Sequence, residues 1–142
     1  MNVFDFLKFA IEEEHKQINT IIDDLDESTL TLKIADNATL GDRLRHISSA
    51  EFRMAGYIVD YDDGDLEIDP TSLQSIKIGF QKSKERHLNT LSQLKEEDLE
   101  KEWISPHSGK SYTYKWLVYH FLEHISTHRG QVAMVIRQNK SE

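Results

Sequence analysis

Apolar residues return every three or four positions in four stretches of this chain, and the breaks between them coincide with its strongest turn formers. In residues 2–26, Val3, Leu7, Ala10, Ile11, Ile18, Ile21, Ile22 and Leu25 form one stripe with charges opposite, which predicts a first amphipathic helix. Thr39 is placed to cap a second, whose stripe of Leu40, Leu44, Ile47, Met54 and Ile58 extends to about Val59. Residues 60–69 are too acidic and too rich in turn formers to continue it, and Asp69-Pro70 reads as a cap followed by proline at the first helical position. The third helix then carries Leu73, Ile76, Phe80, Leu88, Leu91 and Leu94. Ser105-Pro106-His107-Ser108-Gly109 is a turn signature between short β-favouring pieces, which predicts a small hairpin within residues 95–112. Thr113 or Ser111 can cap a fourth helix bearing Trp116, Leu117, Phe121, Ile125, Val132, Val135 and Ile136. Four long helices with one apolar face each have a common solution, an all-α four-helix bundle. Every connection is longer than a tight helical hairpin needs, so crossovers are allowed.

Length and charge narrow what such a bundle can do. The 142 residues suit one domain, 1–142, with a single core. A formal charge of −8 provides no basic surface for phosphates, so no nucleic-acid partner is expected. The chain has no cysteine, which removes thiolate ligands, disulfides and cysteine nucleophiles together. Met1 to Leu7 carries no cationic leader and soon meets Glu12, Glu13 and Glu14, and no apolar run reaches membrane-spanning length. A soluble, cytoplasmic protein with no membrane partner is the expectation. Phe4, Phe6 and Phe9, with Trp116, Val118 and Tyr119, exceed what one core stripe can bury, which predicts an exposed patch and a homodimer.

The chemistry concentrates in the last helix, where His120, His124 and His128 follow one another at spacings of four. A lone histidine on an apolar stripe is usually a hydrogen-bonded core residue. His124 and His128 lie about 40° apart, between the core positions Phe121, Ile125 and Val132, so both point inward. Two uncompensated imidazoles there are costly to bury, and a shared ion relieves the cost. Candidates for a third ligand are His15, His46, His87, His107, His120 and inward carboxylates. His46 is the best placed, beside the second stripe and followed by small Ser48, Ser49 and Ala50, which leave room for an ion. His15 follows three glutamates and reads equally well as solvent-facing, His87 lies among Lys84, Glu85 and Arg86, and His107 is in a loop. His120 and His128 are about 12 Å apart along the axis, too far for one ion. Gly130 within the helix predicts a close helix approach, and Arg129 and Gln131 are candidate hydrogen-bond donors behind the site.

His124-Ile125-Ser126-Thr127-His128-Arg129-Gly130-Gln131 resembles the His-x-x-x-His-Arg-Gly-Gln signature of the DinB/YfiT-like superfamily of metalloenzymes. Chain length, Leu44-Arg45-His46-Ile47, the long second crossover and Gly109-Lys110-Ser111 are similar to that family as well, so the resemblance spans essentially the whole chain. It implies an up-down-down-up four-helix bundle and a divalent metal ion, Zn, Ni, Mn or Fe, held by His46, His124 and His128. Two other patterns fit less well. His120-Phe121-Leu122-Glu123-His124 matches an inverted zincin, but that scheme needs an acidic ligand well downstream and only terminal Glu142 remains. A di-iron bundle needs two Glu-x-x-His motifs, and only the 12–15 stretch supplies one.

Three imidazoles leave open metal positions, the arrangement of a catalytic site. The resemblance implies a small-molecule substrate and either thiol S-transfer, with a low-molecular-weight thiol activated at the metal, or hydrolysis. Glu51 and Glu123 are the acid/base candidates, each with the competing reading of a solvent-facing or supporting residue, and Tyr57 and Tyr119 are further ones. A non-catalytic, stress-related bundle with a structural metal is the alternative from another class. Ligating imidazoles must be neutral, so metal affinity is expected to fall as pH drops through about 6.5 and below.

Overall fold

The computed structural model describes residues 1–35, 37–61 and 64–140; residues 62 and 63 of the acidic stretch and Glu142 lie outside the described residues. The first helix, α1 (Val3–Asp23), starts where Asn2 and Asp5 cap each other: each side chain accepts from the other's backbone N–H. Thr39 and Asp42 repeat the device at the start of α2 (Leu40–Ala55). That helix ends four residues before Val59, because the N–H groups of Gly56, Tyr57 and Ile58 turn to carbonyls three residues back and tighten the chain away from the α-helical pattern.

The third helix begins later than the Asp69-Pro70 signal implies. Asp69 accepts from the backbone and hydroxyl of Thr71, which uses its carboxylate in a turn, and Ser72 becomes the cap of α3 (Leu73–Ser92). The last helix, α4 (Tyr114–Lys140), is capped by Thr113, whose hydroxyl accepts from the Trp116 N–H at 3.1 Å.

Two short antiparallel pairs lead into α2 and α4. The first, β1 (Lys33–Ala35) with β2 (Ala38–Thr39), was not evident in the apolar pattern; the second, β3 (Glu102–Ile104) with β4 (Ser111–Thr113), is the expected hairpin. Each is preceded by one 3-10 segment, Glu27–Thr31 and Glu96–Glu100, too short to leave a periodic signal.

Among the described residues the four α-helices pack so that α1 lies against α3 and α4, and α2 lies against α3 and α4. The core runs from Ile18, Ile22, Leu44, Ile47, Phe80 and Ile125 at one end to Met54, Leu117 and Phe121 at the other, with Ile11, Leu91 and Val118 beside it. Gly41 lets the first turn of α2 lie against Pro70, whose carbonyl a Cβ at that position would strike. Gly130 is different: a Cβ there would meet nothing within 4 Å, so the close approach expected at this glycine is absent. Among the described residues no helix is long and apolar enough to cross a membrane. Of the surplus apolar residues, Phe6, Phe9, Trp116 and Tyr119 are exposed, Phe4 is half-buried, and Val118 is buried in the core.

Candidate metal centre

His46, His124 and His128 come together on the α2–α4 side of the bundle, each offering one ring nitrogen within 4.8 Å of the others. On α2, Leu44 and Ile47 are buried, and His46 between them is turned outward and exposed. On α4, Phe121, Ile125 and Val132 are buried, and the two histidines between them are half-buried. The Nε2 atoms of His46 and His124 are 3.2 Å apart, and the rings of His128 and His124 meet edge to face with centroids 4.4 Å apart. Of the small residues after His46, Ser48 is turned into the helix packing rather than toward the three rings. Ser48 is buried, and its hydroxyl donates to the carbonyls of Leu44 and Arg45 within its own helix.

The electrostatics favour neutral rings. Burial, then the neighbouring charges of His128, His46 and His120 and of Arg53, push His124 down to about 4. Burial, His128, Arg43 and Arg53 hold His46 below its ordinary value. Both therefore present lone pairs at neutral pH. The Nδ1–H of His128 donates to Gln131 Oε1 at 2.7 Å, which leaves Nε2 as its free lone pair. Gln131 thus supports the site as an acceptor rather than a donor. Arg129 faces elsewhere, its Nε donating to Glu14 on α1 at 2.7 Å. The donor set suits a divalent ion: three imidazoles converge from two helices with their nitrogens facing, and His124 Nδ1, on the far side of its ring, is buried without a protein partner.

The remaining histidines and the acidic candidates are elsewhere. His120 stacks on Trp116 with ring centroids 4.6 Å apart, and its Nδ1–H donates to Glu123 at 3.2 Å. Glu123 is exposed, accepts from the Tyr119 hydroxyl at 2.9 Å, and is lowered by these hydrogen bonds, while Tyr119 is raised by the same contact. Tyr57 is stacked on Trp103 with centroids 4.1 Å apart, and His107 is exposed near the β3–β4 turn.

Glu51 lies in the core, not at the three-histidine group, and it gathers His15 and His87 around it. His15 Nε2–H donates to its two oxygens at 2.8 and 2.9 Å, and His87 Nδ1–H donates to Oε2 at 2.8 Å. All three are buried, so the solvent-facing reading of His15 does not hold. Burial alone would raise Glu51, but the two imidazole hydrogen bonds and the charges behind them prevail and hold it at about 2. The pattern carried the signal for this network: His15 stands four after Ile11 and three before Ile18, and Glu51 four after Ile47, on the same buried stripes.

Among curated proteins, none matches the chain. The crystal structure of a DinB-like protein from Bacillus cereus ATCC 10987 is similar in fold, with a TM-score of 0.71 at 23% identity, over 89% of this chain and 86% of that one. The sequence model of the DinB superfamily matches residues 10–132, a span that holds the three-histidine group and the greater part of all four helices. With the bundle and the His124 to Gln131 stretch, that match places the chain in the DinB superfamily.

Proposed function

We propose that this protein is a divalent-metal-dependent enzyme, a thiol S-transferase or a hydrolase of a small molecule, with His46, His124 and His128 as ligands. The observation that carries this reading is the convergence of three imidazoles without any carboxylate among them, one ring exposed. Such a donor set leaves at least one position for water or substrate. A bound Zn, Ni, Mn or Fe ion would act as a Lewis acid and lower the pKa of a water or thiol. The chain has no cysteine, so a reacting thiol belongs to the substrate. His128, fixed by Gln131, keeps its ring oriented, and the half-buried rings keep bulk water from one side of the centre. Neither Glu51, closed in the core, nor Glu123, held by Tyr119 and His120, touches the three nitrogens. A purely structural ion fits less well, because the apolar core is complete without it and His46 faces solvent.

The up-down-down-up helix order of the resemblance is supported by which ends meet: Ile22 late in α1 and Val132 late in α4 share a cluster with Leu40 and Ile76 early in α2 and α3, while Ile11 and Val118 early in α1 and α4 pack with Leu91 late in α3. Exposed Phe6, Phe9, Trp116 and Tyr119 support a homodimer; light scattering at tens of micromolar should give twice 16.6 kDa, and the monomer mass would refute it. For the activity itself, protein loaded separately with each metal and offered a small thiol and 1-chloro-2,4-dinitrobenzene, or an ester or amide library, should react only when loaded. Equal rates with and without metal would overturn the reading, and an apoprotein that unfolds while the loaded form stays inert would favour the structural alternative.

A further inference from the structure

The three-histidine group brings no negative charge, yet two arginines flank it. His46 stands on a stripe of α2 that also holds Arg43, about 60° round and 4.5 Å along the axis, and Arg53, about 20° round and 10.5 Å the other way. Both are close enough that their charges bear on His46, and that of Arg53 on His124 as well. Among the described residues no carboxylate pairs with either one. The acids around them on α2 and beside the three histidines on α4 are engaged: Asp42 by Thr39 and Arg45, Glu51 by His15 and His87, Glu123 by Tyr119 and His120.

Arg43 is the more telling of the two. It is half-buried, its Nε is shielded from solvent and has no hydrogen-bond partner, and its Nη1 lies 3.4 Å from His128 Nδ1. That last contact satisfies nothing. Nδ1 carries the proton it donates to Gln131, so two donors face each other across it. A half-buried guanidinium whose Nε donor is unmet, set beside three imidazoles, is a standing cost. A divalent ion would add two further positive charges to the same spot. An incoming anion answers the whole excess, and a planar fork of N–H donors matches the edge of a carboxylate.

We propose that the substrate of this site carries a carboxylate, which the Arg43 fork grips beside the three-histidine centre, while Arg53 draws the anion toward it from the other side. The inference rests on the metal-site reading and adds the substrate's charge to it. A carboxylate held by Arg43 would keep the rest of the substrate beside the three imidazoles.

The test uses three thiols of similar size and different charge, mercaptoacetate, 2-mercaptoethanol and cysteamine, titrated into the full-length protein loaded with Co(II) and followed by cobalt visible absorption and calorimetry. Mercaptoacetate should bind roughly tenfold more tightly than 2-mercaptoethanol, about 1.4 kcal/mol, and cysteamine most weakly. In Arg43→Met that preference should collapse toward unity with cobalt still bound, and Arg43→Lys should recover part of it because it keeps charge without the fork. Raising salt should weaken mercaptoacetate and spare 2-mercaptoethanol. Cobalt bound with no preference among the three thiols would overturn the carboxylate inference and leave the metal site standing. A preference undiminished in Arg43→Met would overturn the role of Arg43. No cobalt binding at all would overturn the metal-site reading and the inference with it.

Discussion

The molecule holds two histidine clusters, and one carboxylate separates their fates. In the core, His15 and His87 share Glu51, every facing nitrogen donates to an oxygen, and the set ties α1, α2 and α3 together. At the α2–α4 surface, His46, His124 and His128 meet nitrogen to nitrogen with no oxygen between them. Hydrogen-bond inventory explains the difference. An imidazole facing an anion is satisfied by its own proton, whereas the facing Nε2 atoms of His46 and His124 can share at most one proton between them, which leaves a lone pair open to a cation. The first cluster closes around its carboxylate, with His87 Nε2 buried beyond it without a protein partner; the second is a group of three nitrogens that could hold an ion.

The sharpest way to break this contrast is to remove Glu51. Leaving two imidazoles in the core without their acceptor should cost about 3–5 kcal/mol in Glu51→Ala, a large share of ordinary domain stability. Glu51→Gln, which keeps the shape and one acceptor, should cost less, about 1–3 kcal/mol. Urea unfolding measures both. If Glu51→Ala unfolds within about 1 kcal/mol of the parent, the core cluster does not tie the three helices together. Metal affinity should be unchanged in any folded Glu51 variant.

The mirror-image experiment acts on the surface cluster. Alanine at His46, His124 or His128 should weaken metal binding at least tenfold, about 1.4 kcal/mol or more, while global stability without metal moves by less than that. His107→Ala should change neither quantity, and His15→Ala and His87→Ala should lower stability without lowering the affinity of the folded protein. Equal metal content by elemental analysis across these variants would remove the distinction between the clusters.

That the two clusters differ was only half legible in the sequence. The spacing of His124 and His128 between Phe121, Ile125 and Val132 is a property of one helix, so helical periodicity exposes it, and the local capping signals at Thr39 and Thr113 fix where the helices start. The partnership of Glu51 with His15 and His87 joins residues 36 apart on separate helices, and only tertiary packing decides that three polar side chains on three apolar stripes converge. Asp69 shows the same limit at short range. Its sequence suits a helix cap, but the nearer Thr71 takes the carboxylate and Ser72 does the capping. Gly130 departs from expectation for a different reason, since its exposed site needs no close approach and helical geometry alone does not reveal what lies outside a helix.

Acid separates the clusters in sequence. His124 is held down at about 4 and His46 below its ordinary value, so protons compete with metal at lower pH than the free-histidine range near 6.5 suggests. Metal should be largely retained at pH 6 and released as pH approaches 4. Glu51 behaves in the opposite sense for the fold: its depressed value contributes stability above its ordinary 4.5, and that contribution drains away as pH falls toward about 2. A window near pH 4 should therefore hold a folded, metal-free protein. Circular dichroism with metal analysis across pH 3–7 tests this, and coincident loss of metal and helix would mean that the two clusters titrate as one.

The smallest effect should come from His120, and it marks the boundary of the surface cluster. Its ring stacks on Trp116, its Nδ1 is committed to Glu123, and its centroid lies 6.1 Å from that of His124, outside the group of three converging nitrogens. One fewer ring near His124 also removes one of the charges that lower it, so its proton affinity should rise slightly rather than its metal affinity collapse. His120→Ala should retain metal within roughly twofold, less than 0.5 kcal/mol. Its stacking loss should appear as a modest drop in thermal stability, of the order of an aromatic pair at about 0.5–1.5 kcal/mol. A tenfold loss of metal in this variant would make His120 a ligand and pair it with His124, and the surface cluster would then be a chain of rings along α4 rather than a three-histidine site bridging two helices.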